Sequence, residues 1–200
     1  MQLPNLEELL HQRTIFIMGA GSTADYGFPQ WKNLRRIYLD LLHDETTIYS
    51  QHDGAEYWLD ALTSGTDATV DALASDAPNE GVQLFQMMTF DKFLEFEHKD
   101  LNSGKTGWIE EFARKLAELI DDYKSHGRRG NITKFTNNLS FCSFNYERCF
   151  PYRFSKVLSG ELKRRYPNDI WRKPILAAIK DRGRVYWQPH GTLGTEGVHH

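Results

Sequence analysis

The sequence predicts an α/β fold: a parallel sheet with a helical insertion between its first two strands. Three observations carry that expectation. Short apolar, β-prone runs stand at 13–18, 139–144 and 184–188. Long tracts with apolar residues at helical spacing separate them, as alternating layers require. The length, 200 residues, suits one domain with an embellishment. The domain is expected to span 1–200, with the insertion at 44–130.

The first run, Arg13 to Met18 (RTIFIM), stops at Gly19 and reads as a buried strand. Trp31, Leu34, Ile37, Tyr38, Leu41 and Leu42 then repeat at helical spacing. Thr63 to Gly81 is rich in Ser, Thr, Ala, Asp and Gly and is expected to contain a mobile loop. Phe90, Phe93, Leu94 and Phe96 suggest that helix resumes before Asp100. Trp108, Ile109, Phe112, Leu116, Leu119, Ile120 and Tyr123 mark a further amphipathic helix. Leu139 to Phe144 (LSFCSF) reads as a second buried strand, and Arg184 to Gln188 (RVYWQ) as a third.

Composition narrows the function classes. Aromatic residues make up 13% of the chain, too many for a disordered protein. No run approaches the ~20 apolar residues that span a bilayer, and the N-terminus lacks a cationic flank and apolar core, so a cytoplasmic protein is expected. Two cysteines, Cys142 and Cys149, are too few for a disulfide scaffold or a four-cysteine zinc site. The net charge of −3 hides an asymmetry. Ile37 to Asp91 contains no Lys or Arg, whereas Arg153 to Arg184 is strongly basic. The basic tract carries no nucleic-acid motif, so nucleic acid is not expected as a partner; solvated helix faces explain it more simply.

Gly19-Ala20-Gly21-Ser22-Thr23-Ala24 follows the first strand directly and fits the G-x-G-x-x-G/A dinucleotide fingerprint of a Rossmann-like sheet. A residue without Cβ allows the tight turn, and another lets backbone N–H groups approach a pyrophosphate. Asp40 has the approximate spacing of a ribose-binding acid but sits in a helical pattern, which disfavours an ordinary dehydrogenase. Gly27-Phe28-Pro29 comes next: Gly27 permits a positive φ, and Pro29 suits a turn or a first helical position. Residues 21–31 are therefore expected to form an ordered loop above a nucleotide crevice.

Ser143-Phe144-Asn145-Tyr146-Glu147 ends the second strand, and Pro189-His190-Gly191 ends the third. Both lie where open α/β sheets bind ligands. Read singly, His190 is equally a hydrogen-bonded strand-end imidazole and Asn145 a turn or helix-capping residue. In this order, however, Gly19-Ala20-Gly21-Ser22, Gly27-Phe28-Pro29-Gln30-Trp31, Asp91-Lys92-Phe93-Leu94, Asn145-Tyr146-Glu147 and His190-Gly191 together resemble the sirtuin superfamily. They are most similar to its bacterial SIR2-like branch, over roughly residues 13 to 194. Sirtuin deacylases typically read G-I-P-D-F-R and T-Q-N-x-D. This chain has Gln30, Lys32, Phe144 and Glu147 at the departing positions, and it cannot supply the deacylase zinc ribbon.

The resemblance implies hydrolysis of NAD at the nicotinamide–ribose bond, in an antiphage-defence or NAD-depleting effector, with no metal. It implies that Gly19, Ala20, Gly21, Ser22 and Thr23 hold the pyrophosphate, with Phe28 and Pro29 in the overlying loop. Asn145 would orient water or a ribose hydroxyl, His190 would serve as base, and Glu147 would hold either the nicotinamide amide or only a backbone N–H. A homo-oligomer or a defence-system partner protein is expected, and no membrane. The alternatives are a catalytically idle NAD- or ADP-ribose-binding or assembly module and, more distantly, an NAD-dependent deacylase. Relatives normally continue past the His-Gly element into strands that complete the adenosine half of the site, so a sheet truncated at the C-terminus is expected.

Overall fold

A computed structural model of the chain describes residues 12–65, 68–102, 104–125, 138–145, 148–168 and 186–187. These form a mixed α/β protein, mostly helical, that divides into two compact units. Among the described residues, the first comprises 12–26 and those from 100 onward; the second comprises 27–99. No helix among them is long and apolar enough to cross a membrane.

The first unit is built on a parallel sheet in the order β1 (Thr14–Met18), β2 (Leu139–Ser143), β3 (Tyr186–Trp187). Thr14 pairs with Leu139 and Met18 with Ser143. In that register Phe16 and Phe141 share one face and stack at 5.4 Å. Helices α5 (Trp108–Ser125) and α6 (Cys149–Arg165) cover this face. The Phe112 ring meets Phe16 edge-on at 5.1 Å, and Phe150 lies 4.7 Å from Phe141. Phe150, Phe154, Leu158 and Leu162 recur every fourth residue and are all buried. The basic residues of α6 mostly fall outside this stripe: Lys163 and Arg164 are exposed, as a solvated helix face requires. The apolar run at 13–18 led us to expect a strand buried on both sides. Instead Ile15 and Ile17, on the face opposite Phe16, are 66% and 74% exposed. Of β1, Met18 alone is fully buried.

Between β1 and α5 the first unit contains a 3-10 helix, Ala20–Tyr26. Its last residue supplies a cap to α5. The Ile109 N–H, which has no acceptor within its own helix, donates to the Tyr26 hydroxyl at 3.0 Å. That hydroxyl donates in turn to Glu110 Oε2 at 2.7 Å. Glu110 also reaches back to accept from the Gly107 N–H at 2.8 Å, half of a capping box. A Cβ at Gly107 would stand 2.8 Å from the Tyr26 oxygen, so only glycine leaves the tyrosine its place.

The buried Arg153 completes this node. Its guanidinium donates to both carboxylate oxygens of Asp100, at 2.8 and 2.5 Å, to Glu110 Oε1 at 2.5 Å and to the Lys105 carbonyl at 2.8 Å. The cation lies 4.5 Å from the centre of the Tyr26 ring.

The second unit is all helix: α1 (Trp31–His43), α2 (Ala55–Thr63), α3 (Val70–Ser75) and α4 (Asn79–Asn102), the last ending beyond the unit boundary. Its core centres on Trp58, which stacks on Phe85 at 5.4 Å and donates its indole N–H to the Gly81 carbonyl at 2.7 Å. Tyr38 and Thr89 pair their hydroxyls at 2.7 Å, so neither buried oxygen is left unsatisfied. The stretch 63–81, expected to contain a mobile loop, holds helix at Val70–Ser75 and again from Asn79, with 64–65, 68–69 and 76–78 outside the helices. The Thr69 hydroxyl accepts from the Ala72 N–H at 3.3 Å and starts α3, and α4 begins at Asn79. The polar residues there act as caps to short Ala-containing helices. Helix α4 is also far longer than the 90–96 spacing indicates. Its apolar residues run round the helix, with Leu84 and Met88 buried but Met87 and Phe90 exposed.

The Arg153 node fixes a pH response. Burial pushes the Glu110 pKa up, but hydrogen bonds from Tyr26, Arg153 and the Gly107 N–H outweigh it, and the net value lies below the ordinary one. The native state therefore binds fewer protons here than the unfolded chain. The stability this contributes is complete above the unfolded value of about 4.3 and is lost as pH falls through the native value. Thermal melts from pH 7 to pH 3 should show a steeper fall below about pH 4.3 for wild type than for Glu110→Gln. Arg153→Leu, which strands two buried carboxylates, should lose about 3–5 kcal/mol at pH 7. Parallel melting curves for wild type and Glu110→Gln would contradict the assignment.

Candidate functional site

Parallel pairing brings the carboxyl ends of β1 and β2 to one edge of the sheet. The ladder extends one residue past β2, where the Phe144 N–H donates to the Met18 carbonyl at 2.9 Å. Beyond that point β1 runs into Gly19-Ala20-Gly21-Ser22, and β2 into Phe144-Asn145. The two exits meet through a side chain. Asn145, 5% exposed, donates from Nδ2 to the Ser22 hydroxyl at 3.2 Å and to the Thr23 hydroxyl at 3.4 Å. Its own N–H donates to Ser143 Oγ at 3.2 Å. Thr23 is buried and Ser22 half-buried, so the cluster runs from the interior toward the surface.

The turn is held at further points. The Ser22 N–H closes onto the Gly19 carbonyl at 2.8 Å. The indole N–H of Trp108, at the start of α5, donates to the Ser22 carbonyl at 2.6 Å. Tyr26, in the node described above, anchors the far end of the same 3-10 helix.

Gly19, Ala20 and Gly21 are exposed. Neither glycine has a positive φ, and among the described residues no atom beyond the chain neighbours lies within 4 Å of where a Cβ would stand on either. Among those residues nothing calls for glycine here, in contrast to Gly107. An exposed turn with hydroxyl donors beside it suits an oxygen-rich ligand. A hydroxyl that accepts from Asn145 still carries its own proton and can donate it outward.

The other expected site residues fall elsewhere. Phe28 and Pro29 belong to the helical unit and are both buried there. The Phe28 ring packs 6.3 Å from Phe93 and 6.4 Å from Phe96, as a core side chain. Gly27 has φ 95°, the left-handed turn that its sequence context indicates. Glu147 and His190 lie outside the described residues. Among the described residues no group of three His, Cys, Asp or Glu side chains could hold a metal ion.

Two residues that shape the site are missed by sequence reasoning. Trp108 reads as one member of an apolar stripe, and Tyr26 carries no motif. A signal for Trp108 does exist: a tryptophan at the first position of a helix brings an N–H that needs an acceptor.

Two substitutions separate folding from ligand space. Asn145→Ala removes two hydrogen bonds from buried or half-buried hydroxyls and should cost about 1–3 kcal/mol in chemical denaturation. Gly21→Ala fills open space at an unstrained position and should leave stability within about 0.5 kcal/mol of wild type. A large loss in Gly21→Ala would show that the glycine serves the fold itself. Set beside known proteins, the chain matches no family model, no curated protein and no solved structure.

Proposed function

We propose that the protein is a SIR2-like NAD glycohydrolase on a Rossmann-like sheet, cleaving the nicotinamide–ribose bond as an NAD-depleting, antiphage-defence effector. The observation that carries this reading is the junction of Asn145 with Ser22 and Thr23 at the carboxyl ends of two adjacent parallel strands. That edge is where open parallel sheets bind nucleotides. Two of the motifs that carry the SIR2-like resemblance, Gly19-Ala20-Gly21-Ser22 and the one that begins at Asn145, flank that junction. The exposed, uncrowded Gly19 and Gly21 give a pyrophosphate room to approach the backbone.

In the proposed reaction the ribose C1′–N bond breaks with its electron pair passing to the nicotinamide nitrogen, which leaves neutral. No general acid is needed, because the leaving group is already cationic in NAD. The ribosyl centre becomes oxocarbenium-like, as in glycoside cleavage. Water forms the new bond at C1′ and gives up a proton. The resemblance assigns that proton to His190, whose reference pKa of about 6.5 suits a base near neutrality. Asn145 orients the water or a ribose hydroxyl, and Glu147 holds the nicotinamide amide. Ser22 and Thr23, with the backbone of Gly19 to Gly21, hold the pyrophosphate.

A second reading has its own support. Asn145 directs its amide N–H groups at Ser22 and Thr23, which is what a purely structural clamp does. A nucleotide-binding module without turnover would look the same at this position.

Nicotinamide release from NAD distinguishes them. Wild-type protein should release nicotinamide, and His190→Ala should lower the rate by about 10²–10⁴-fold while still binding ADP-ribose. Asn145→Ala should lose both binding and turnover. Unchanged release in both variants would sink the assignment, and binding without release in wild type would favour the idle module.

A further inference from the structure

Every polar group of Ser22 is engaged in a defined direction. Its N–H donates to the Gly19 carbonyl at 2.8 Å, its carbonyl accepts from the Trp108 indole at 2.6 Å, and its hydroxyl oxygen accepts from Asn145 at 3.2 Å. The three partners come from the turn itself, from α5 and from the end of β2. Because peptide units are planar, the N–H bond to Gly19 and the carbonyl bond from Trp108 restrain the two planes that flank the Ser22 Cα, and with them the direction of its Cα–Cβ bond, while the bond from Asn145 selects the side-chain rotamer. Asn145 then occupies one side of the hydroxyl oxygen. The hydroxyl proton is left with a restricted set of directions, set jointly by an amide and an indole.

The indole is itself rigidly held. It stacks on Phe150 at 5.8 Å and meets Phe112 at 6.5 Å, while Phe150 lies 4.7 Å from Phe141 on β2. The ring layer that packs β2 thus also aims the donor that grips the turn after β1. An N–H to carbonyl bond of this kind contributes little to stability by number alone. Its placement at a residue gripped from three sides is what distinguishes it.

We propose that Trp108 is a positioning residue: through the Ser22 carbonyl it sets the direction in which the Ser22 hydroxyl donates to a phosphate oxygen of the nucleotide. This rests on the nucleotide reading above and adds to it a residue that lies outside every motif in the sequence. Trp108 touches no ligand atom in this account; it acts through Ser22.

The test is a double-mutant cycle with ADP-ribose as the probe, titrated calorimetrically into wild type, Trp108→Phe, Ser22→Ala and the double variant. Phenylalanine keeps an aromatic ring against Phe150 and removes the N–H together with the rest of the five-membered ring, a packing loss that the double variant carries equally. Each single change should weaken binding by roughly three- to tenfold, the size of one neutral hydrogen bond. The double variant should bind about as Ser22→Ala does, because Trp108 has nothing left to position. A merely structural role predicts the opposite, multiplied losses in the double variant, and that result overturns the proposal, as does wild-type affinity in Trp108→Phe. In wild-type protein the Trp108 indole N–H resonance should shift on addition of ADP-ribose while that of Trp58 stays in place. An unmoved Trp108 resonance in a protein that binds ADP-ribose also overturns it. Absence of any ADP-ribose binding by wild type overturns the nucleotide reading itself, which the other outcomes leave standing.

Discussion

The first unit depends on one buried cation. Arg153 sits on the buried side of α6, beside Phe150 and Phe154, and pairs with two carboxylates that come from separate stretches of chain. Taking three charges out of water is expensive, and such groups persist only where their hydrogen-bonding capacity is filled. Here it is filled by the carboxylate and main-chain carbonyl of Asp100, by Glu110 and by the Lys105 carbonyl, with the Tyr26 ring as a further neighbour. Glu110 in turn closes the start of α5 and holds the Tyr26 hydroxyl. Ordinary helix starts carry a Ser, Thr or Asp at the cap. In α5 the cap position is glycine, and a tyrosine 81 residues earlier performs the task.

This arrangement has a directional consequence for the candidate site. The 3-10 helix after β1 is pinned at Tyr26 by the charged node and at Ser22 by Trp108 and Asn145. A 3-10 segment of this length has weak hydrogen-bond geometry and would not hold its shape alone. The exposed residues Gly19 to Gly21 are therefore presented by a frame rather than by their own conformation. Binding to a preset turn avoids the ordering cost that a loose glycine loop incurs. The aromatic layer behind it, from Phe16 through Phe141 to Phe150 and Trp108, supplies the rigidity, since core rings at 4.7 to 5.8 Å have little room to move.

The strands, the two amphipathic helices at 31–43 and 108–125 and the glycine turn were legible because each is a local pattern. Apolar runs ended by glycine, 3.6-residue periodicity and Gly27 before Phe28-Pro29 need only a few neighbours to be read. Three kinds of feature were not legible. The helices at 55–63 and 70–75 are short, and the Ser, Thr and Asp around them looked like loop when they are caps and exposed faces. The exposure of Ile15 and Ile17 depends on what lies over one face of the sheet, which a strand's own sequence does not encode. The third kind is the long-range polar node. Arg153 falls in the basic tract, yet it stands three residues after the buried Phe150 and next to Phe154, and a cation there demands buried acids. Of the candidate site, the sequence places Asn145 and the glycine turn each at a strand end but carries no sign of the side-chain bonds that join them; Trp108 escaped because its contribution is one N–H on an otherwise apolar ring.

On the proposed function, the turn after β1 and the Asn145 end of β2 form one nucleotide-binding surface. Amide hydrogen exchange with and without saturating ADP-ribose tests it most directly. The account predicts new protection concentrated at residues 19–23 and 143–145, with the helical core around Trp58 unchanged. Binding of ADP-ribose with protection elsewhere and none at 19–23 would contradict it.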